Sequence, residues 1–154
     1  MSNHAGQYEE NDFTPVTSAM ELSDYVFLIT DNANKFPEYV TTKKEKDGVI
    51  QIIMQLKQDS LTNIVRRQAF EIYMDVFTAN EINVNRHPER KKERLSKQLH
   101  AIELCNRHLA AIQLCRKKFH LSARRIKYWG GKTRDLRAVI ERWHESDKDR
   151  YKDI

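Results

Sequence analysis

Residues 122–143 read SARRIKYWGGKTRDLRAVIERW, and within them Ile126, Trp129, Thr133, Leu136, Ile140 and Trp143 are spaced 3, 4, 3, 4, 3. That alternation averages half the heptad repeat, so these side chains fall along one side of an α-helix. Ser122 stands at the N-cap position, where a hydroxyl accepts a hydrogen bond from a free amide of the first turn. Upstream, Leu95, Leu99, Ile102, Cys105, Leu109, Ile112 and Phe119 predict a third helix with an apolar stripe, opened near Pro88 and closed at the Leu121–Ser122 joint. Further upstream, Thr42 and Glu45 form a capping-box pattern ahead of Ile53, Leu56, Leu61, Val65, Ala69, Ile72, Val76 and Ala79. This second segment reads as helix to about Val84, with Gly48 shifting its start toward Val49. At full length it would reach about 60 Å, so a break is expected near Asp59–Ser60. Ser18 and Glu21 repeat the capping box before Leu22, Val26, Ile29, Ala33 and Phe36, a first helix that Pro37 closes.

The expected fold is therefore all-α: an antiparallel up-down four-helix bundle over residues 17–145. A flexible acidic N-terminal leader (1–16) precedes it, and a charged tail (146–154) is expected to fray. The composition agrees. In 154 residues there are only 4 Gly and 3 Pro, which leaves few places for strands to reverse, and the 40% hydrophobic share supplies one core. No window approaches the roughly 18 apolar residues of a membrane span, and the first residues lack a basic start followed by an apolar run. A cytoplasmic protein is expected. Cys105 and Cys115 lie about 15 Å apart along one helix, too far to bridge each other there, which fits reduced thiols.

The net charge of +5 hides an asymmetry: residues 1–40 carry −6, residues 41–84 balance, residues 85–137 carry +12 and residues 138–154 carry −1. A block this basic points to a polyanionic partner, although lysine and arginine also decorate any solvated helix. The densest cluster is Arg124, Arg125, Lys127, Lys132, Arg134 and Arg137, opposed only by Asp135. Those cations are candidate phosphate contacts, whose affinity would fall steeply with salt. Tyr128 among them is open for contact, while Trp129 lies on the apolar stripe and reads as core. Arg90, Lys91 and Arg94 are secondary candidates, part of a cluster with Arg86, Lys92 and Lys97 at the start of the third helix. Cations there oppose the helix dipole, which hints at a role other than helix stability. In an antiparallel pair this cluster lies at the far end from Arg116, Lys117, Lys118, Arg124 and Arg125, so one continuous basic surface would require an assembly.

Chemistry has weaker signals. Glu141 and His144 have the Glu-x-x-His spacing of di-iron bundles, but no second such motif is present, and both read as exposed polar residues. His100, Cys105 and His108 do not complete a four-ligand zinc pattern. No nucleophile has a recognisable base and orienting acid. The chain is expected to be non-enzymatic, with no cofactor or metal. Gly130–Gly131 inside the fourth helix is unfavourable by roughly 1 kcal/mol per glycine. This predicts a close approach by a neighbouring helix or subunit, or a bend. A phosphate-cradling loop there would need a strand and a longer glycine motif that the sequence lacks.

Three stretches carry a resemblance: Lys35-Phe36-Pro37 closing the first helix; Glu71-Ile72 and Thr78-Ala79-Asn80 closing the second; and Ser122 to Gly131, leading from the third into the fourth. Over roughly residues 20–145 the chain resembles the four-helix-bundle family that includes the accessory variability protein (Avd) of diversity-generating retroelements. The resemblance implies a basic, barrel-like homopentamer. It would bind the element's reverse transcriptase and template RNA or RNA/cDNA, supporting mutagenic cDNA synthesis without catalysing it. The acidic leader, the longer stretch from Pro37 to Leu61 and the place of the double glycine depart from that pattern. The alternative reading is a helical protein–protein interaction module whose basic face docks an acidic partner, and a third is a metal-dependent bundle enzyme using Glu141 and His144.

Overall fold

The computed structural model describes residues 13–32, 35–36, 39–56 and 60–154. Its elements are α1 (Thr14–Thr30), β1 (Tyr39–Lys46), β2 (Val49–Leu56), α2 (Leu61–Glu81), a short 3-10 turn (Pro88–Arg90), α3 (Lys91–Phe119) and α4 (Ala123–Arg150). The class is all-α: α1 packs on α2, α2 on α3, α3 on α4, and α4 back on α1. The core these helices share is centred on Leu22, Val26, Phe36, Ile72, Ile112, Trp129, Leu136 and Ile140. No helix among the described residues is long and apolar enough to cross a membrane.

The second segment departs from the sequence expectation. Residues 39–56 form an antiparallel hairpin with Lys46 paired to Val49, where the capping pattern predicts helix from Thr42 onward. Its two-residue turn decides this. Asp47 and Gly48 both have positive φ, 54° and 78°, the geometry of the hairpin turn that matches strand twist and that Asp-Gly favours. The flanking Thr41, Thr42, Val49, Ile50, Ile52 and Ile53 are β-branched, which lowers their preference for helix further. The expected break near Asp59–Ser60 marks the true helix start, because Ser60 Oγ accepts the Asn63 amide at 3.2 Å and α2 begins at Leu61.

Both ends of the bundle extend further than expected. Residues 1–12 lie outside the described residues, but Phe13–Val16 do not belong to a leader: α1 starts at Thr14, with Pro15 in its first turn and Pro15 and Val16 buried. Proline suits that turn because its missing N–H would be unpaired anyway. The Ser18–Glu21 pair therefore lies inside α1 rather than capping it. Phe13 also packs edge-on to Trp143, with ring centroids 5.3 Å apart. At the other end, α1 stops at Thr30 rather than running to Phe36, and Phe36 is buried beside Phe119 and Trp129. Ala33 and Pro37 lie outside the described residues. Arg66 of α2 secures the α1 terminus, donating to the Thr30 hydroxyl at 2.7 Å and the Thr30 carbonyl at 2.8 Å. The tail from Ser146 does not fray: α4 runs to Arg150, Asp147 is fully buried, and Tyr151 packs on Ile82 and Val84.

On α3 the buried stripe is rotated from the apolar one. Arg94, Gln98, Ala101, Cys105, His108, Ile112 and Cys115 face inward, whereas Leu99 is 53% exposed. These residues keep a 4, 3, 4, 3, 4, 3 spacing, so the heptad is intact but half polar. The polar members pair with one another and with their neighbours. Arg94 donates to Asp147 at 2.7 Å and to the Ala79 and Ile82 carbonyls. Gln98 donates to Asp147 at 2.6 Å and accepts from His144 at 2.8 Å. The indole N–H of Trp129 donates to Nε2 of His108 at 3.1 Å, which leaves Nδ1–H to donate to Gln68 at 2.9 Å. Buried polar groups satisfied in this way avoid the desolvation penalty that would otherwise exclude them from a core.

Candidate nucleic-acid interface

Residues 104–134 contain nine lysines and arginines and no carboxylate. The fold gathers most of them at one end of the molecule. Arg116, Lys117 and Lys118 are exposed on the last turn of α3, where they complement the helix dipole. His120, in the left-handed region at φ 53°, ends that helix. Two residues later Ser122 opens α4, its hydroxyl accepting the Arg125 amide at 3.1 Å, as the sequence predicts. Arg124, Arg125 and Lys127 are exposed immediately after it. Cations on both sides of one tight joint therefore lie at the same end of the molecule. Those on the first turn of α4 oppose its dipole, so local helix stability does not account for them.

Beside this joint an open concavity of about 950 Å³ is lined by Tyr25, Ser122, Arg124, Arg125, Lys127, Tyr128, Gly131, Lys132 and Asp135. Tyr25 from α1 and Tyr128 from α4 meet edge to face, with centroids 5.1 Å apart. Arg125 donates to the Tyr25 hydroxyl at 3.2 Å, and the Lys132 ammonium stands 5.6 Å over the Tyr128 ring. Lys132 also lies 3.9 Å from Glu21, a loose pair across the α1–α4 seam. The arrangement places aromatic faces among cations on a concave surface, which suits a phosphate chain bearing flat bases.

Of the sequence candidates, Arg124, Arg125, Lys127 and Lys132 come together here. Arg134 is exposed further along α4, and Arg137 turns toward α3, donating to Asn106 at 2.8 Å. The secondary candidates do not join them. Arg90 is engaged by Glu93 through two bonds of 2.9 and 3.0 Å, which raise the arginine's pKa and lower the carboxylate's. Lys91 donates to the Ile154 carbonyl at 3.2 Å. Arg94 is not a phosphate contact: at 6% exposure and bonded to Asp147, it is a core residue and cannot reach a phosphate chain. Tyr25 belongs with the site, and Arg116–Lys118 stand exposed at the same end beside the joint, although the sequence candidates omit them. The carboxylate-free run signals the cations; nothing in the local sequence marks Tyr25.

The other candidates resolve into structure. His144 is buried, not exposed, and its pKa is lowered mainly by burial. Glu141 is exposed. Among the described residues no group of three His, Cys, Asp or Glu is placed to hold a metal. Burial pushes both Cys105 and Cys115 up to about 12, which suppresses their thiolates. At the double glycine, α4 continues without interruption. A Cβ on Gly130 would stand 3.2 Å from the guanidinium of Arg134 in the same helix, and a Cβ on Gly131 would meet nothing within 4 Å. Among the described residues no neighbouring helix presses on the pair. Comparison with known families, with curated proteins and with solved structures finds no match to this chain.

Proposed function

We propose that this chain is a non-enzymatic nucleic-acid-binding accessory subunit, one that holds a reverse transcriptase and its template RNA during mutagenic cDNA synthesis in a diversity-generating retroelement. The observation that carries the nucleic-acid part is the clustering of exposed cations from a carboxylate-free run around a concave, tyrosine-bearing surface. The polymerase partner and a homopentameric ring rest on the resemblance of Ser122–Gly131 and the helix ends to the accessory variability protein family, and a cytoplasmic setting rests on the two free cysteines. In this reading the four helices run alternately up and down. The contacts between helix ends support that order: Arg66 with Thr30, Arg94 with Ala79 and Ile82, and Phe13 with Trp143.

Replacing Arg124 and Lys127 together by glutamate should weaken retention on RNA at low salt and leave the helical signal intact. Unchanged retention would overturn the assignment. Light scattering in solution tests the ring, since a mass of one chain excludes it.

A protein-docking role is the second reading, and an apolar surface favours it. Met20 and Phe27 on α1 and Phe70 and Met74 on α2 are 40 to 48% exposed. A partner that stays bound after nuclease treatment would favour that role.

A further inference from the structure

We infer that Tyr128 and Gly131 form a base-accepting pocket on α4, so that the concave surface takes single-stranded nucleic acid by stacking as well as by charge. This rests on the nucleic-acid reading above and specifies its ligand. Arg124, Tyr128 and Lys132 follow one another at four-residue intervals, about 6 Å apart along the helix. They make a row of cation, aromatic ring and cation on one side of α4. Tyr128 is 56% exposed although its ring is held in place, by a T-shaped contact with Tyr25 and by the Lys132 ammonium over one face. A ring fixed in this way binds a flat partner without first losing rotamer freedom.

Gly131 supplies the space. It lines the same concavity, and among the described residues nothing lies within 4 Å of the position of its missing Cβ. A glycine in mid-helix is destabilising, and among the described residues no neighbouring helix stands close enough to account for this one. Its lack of a side chain leaves open a part of the concavity that Tyr128, three residues earlier on the helix, also lines. In a duplex the base faces are already covered by their neighbours, so a stacking surface selects a single strand. The surrounding Arg124, Arg125 and Lys132 then engage the flanking phosphates.

The test is fluorescence anisotropy at low salt with three labelled probes of equal length: a thymidine single strand, an abasic single strand and a duplex. The unmodified protein should bind the thymidine strand about tenfold more tightly than the abasic strand. Tyr128→Leu, which keeps an apolar side chain against Tyr25, should abolish that preference without changing abasic binding. Gly131→Leu, which favours the helix and so preserves the fold, should do the same, while Tyr128→Phe should retain the preference. If the two leucine variants bind the thymidine strand as the unmodified protein does, or lose both strands equally, the pocket is refuted and the charge-based reading survives. If the unmodified protein binds none of the three probes, both fail together.

Discussion

Arg94 and Asp147 meet inside the protein, with Nε 2.7 Å from Oδ2 and the two residues 6% and 0% exposed. The pair ties the start of α3 to the end of α4, and through the Ala79 and Ile82 carbonyls it also holds the end of α2. The guanidinium further lies 5.3 Å from the Trp143 ring and 5.7 Å from that of Tyr151. The other oxygen of Asp147 has no hydrogen-bond partner among the described residues, and the Arg150 guanidinium lies 3.8 Å from it.

Removing one partner should therefore be far worse than removing both. Arg94→Met leaves a buried carboxylate uncompensated and should destabilise the fold by about 3–5 kcal/mol. Adding Asp147→Leu should recover part of that loss, the remainder reflecting the Gln98 amide and the Ala79 and Ile82 carbonyls left without their partners. Urea unfolding of the single and double variants measures it, and a single-variant loss under about 1 kcal/mol would show that the pair is not structural.

Stability should also fall in mild acid because of His108. Burial lowers its pKa from 6.5 to about 4, and its two ring nitrogens are committed to Trp129 and Gln68 as a neutral imidazole. The unfolded chain takes up the proton near 6.5, whereas the folded chain resists it until about 4. Stability is thus full above the higher value, declines as pH falls between the two, and levels off below the lower. The loss attributable to this group is about 3 kcal/mol at most. His144, shifted in the same direction by burial, adds to the trend. Denaturant midpoints across this range should slope less in a His108→Gln variant; an identical slope would remove His108 from the account.

Gly48→Ala isolates the hairpin from the bundle. A side chain at φ 78° is strained by about 1–2 kcal/mol. Amide exchange across residues 39–56 should quicken while that of α3 and α4 is unchanged. If exchange in the hairpin does not respond, the positive-φ turn is not what sets its register.

Binding to nucleic acid should carry a measurable ionic signature. Neutralising one cation that pairs with a phosphate lowers the slope of log affinity against log salt by about 1. Arg124→Gln and Lys127→Gln should each reduce it, and Arg90→Gln, whose guanidinium is held by Glu93, should not. An equal effect from Arg90 would mean that the two basic zones act as one surface.

Much of the architecture is legible in the residues. The 3, 4 spacing of α4, the Ser122 cap and the burial of Trp129 follow directly from local sequence, because there the apolar stripe and the core stripe coincide. On α3 they do not. Arg94, Gln98 and His108 point inward because partners on α2 and α4 satisfy them, and a stripe drawn from hydrophobicity alone cannot include groups whose burial depends on side chains far away in the chain. The hairpin is obscured differently. Thr42 and Glu45 imitate a helix start, while the decisive signal is two residues, Asp47 and Gly48, whose turn preference outweighs the cap. At the candidate site the cations of α4 are readable, but Tyr25 arrives from α1 by tertiary packing alone.

The grip of Arg66 on Thr30 has a practical corollary for engineering. It fastens the end of α1 to the first turns of α2, so the hairpin of residues 39–56 is flanked by a fixed anchorage. Phe36, buried against Phe119 and Trp129, has to stay, and the exposed Asp47–Gly48 turn is then the place where a reporter peptide can be inserted without rethreading the helices.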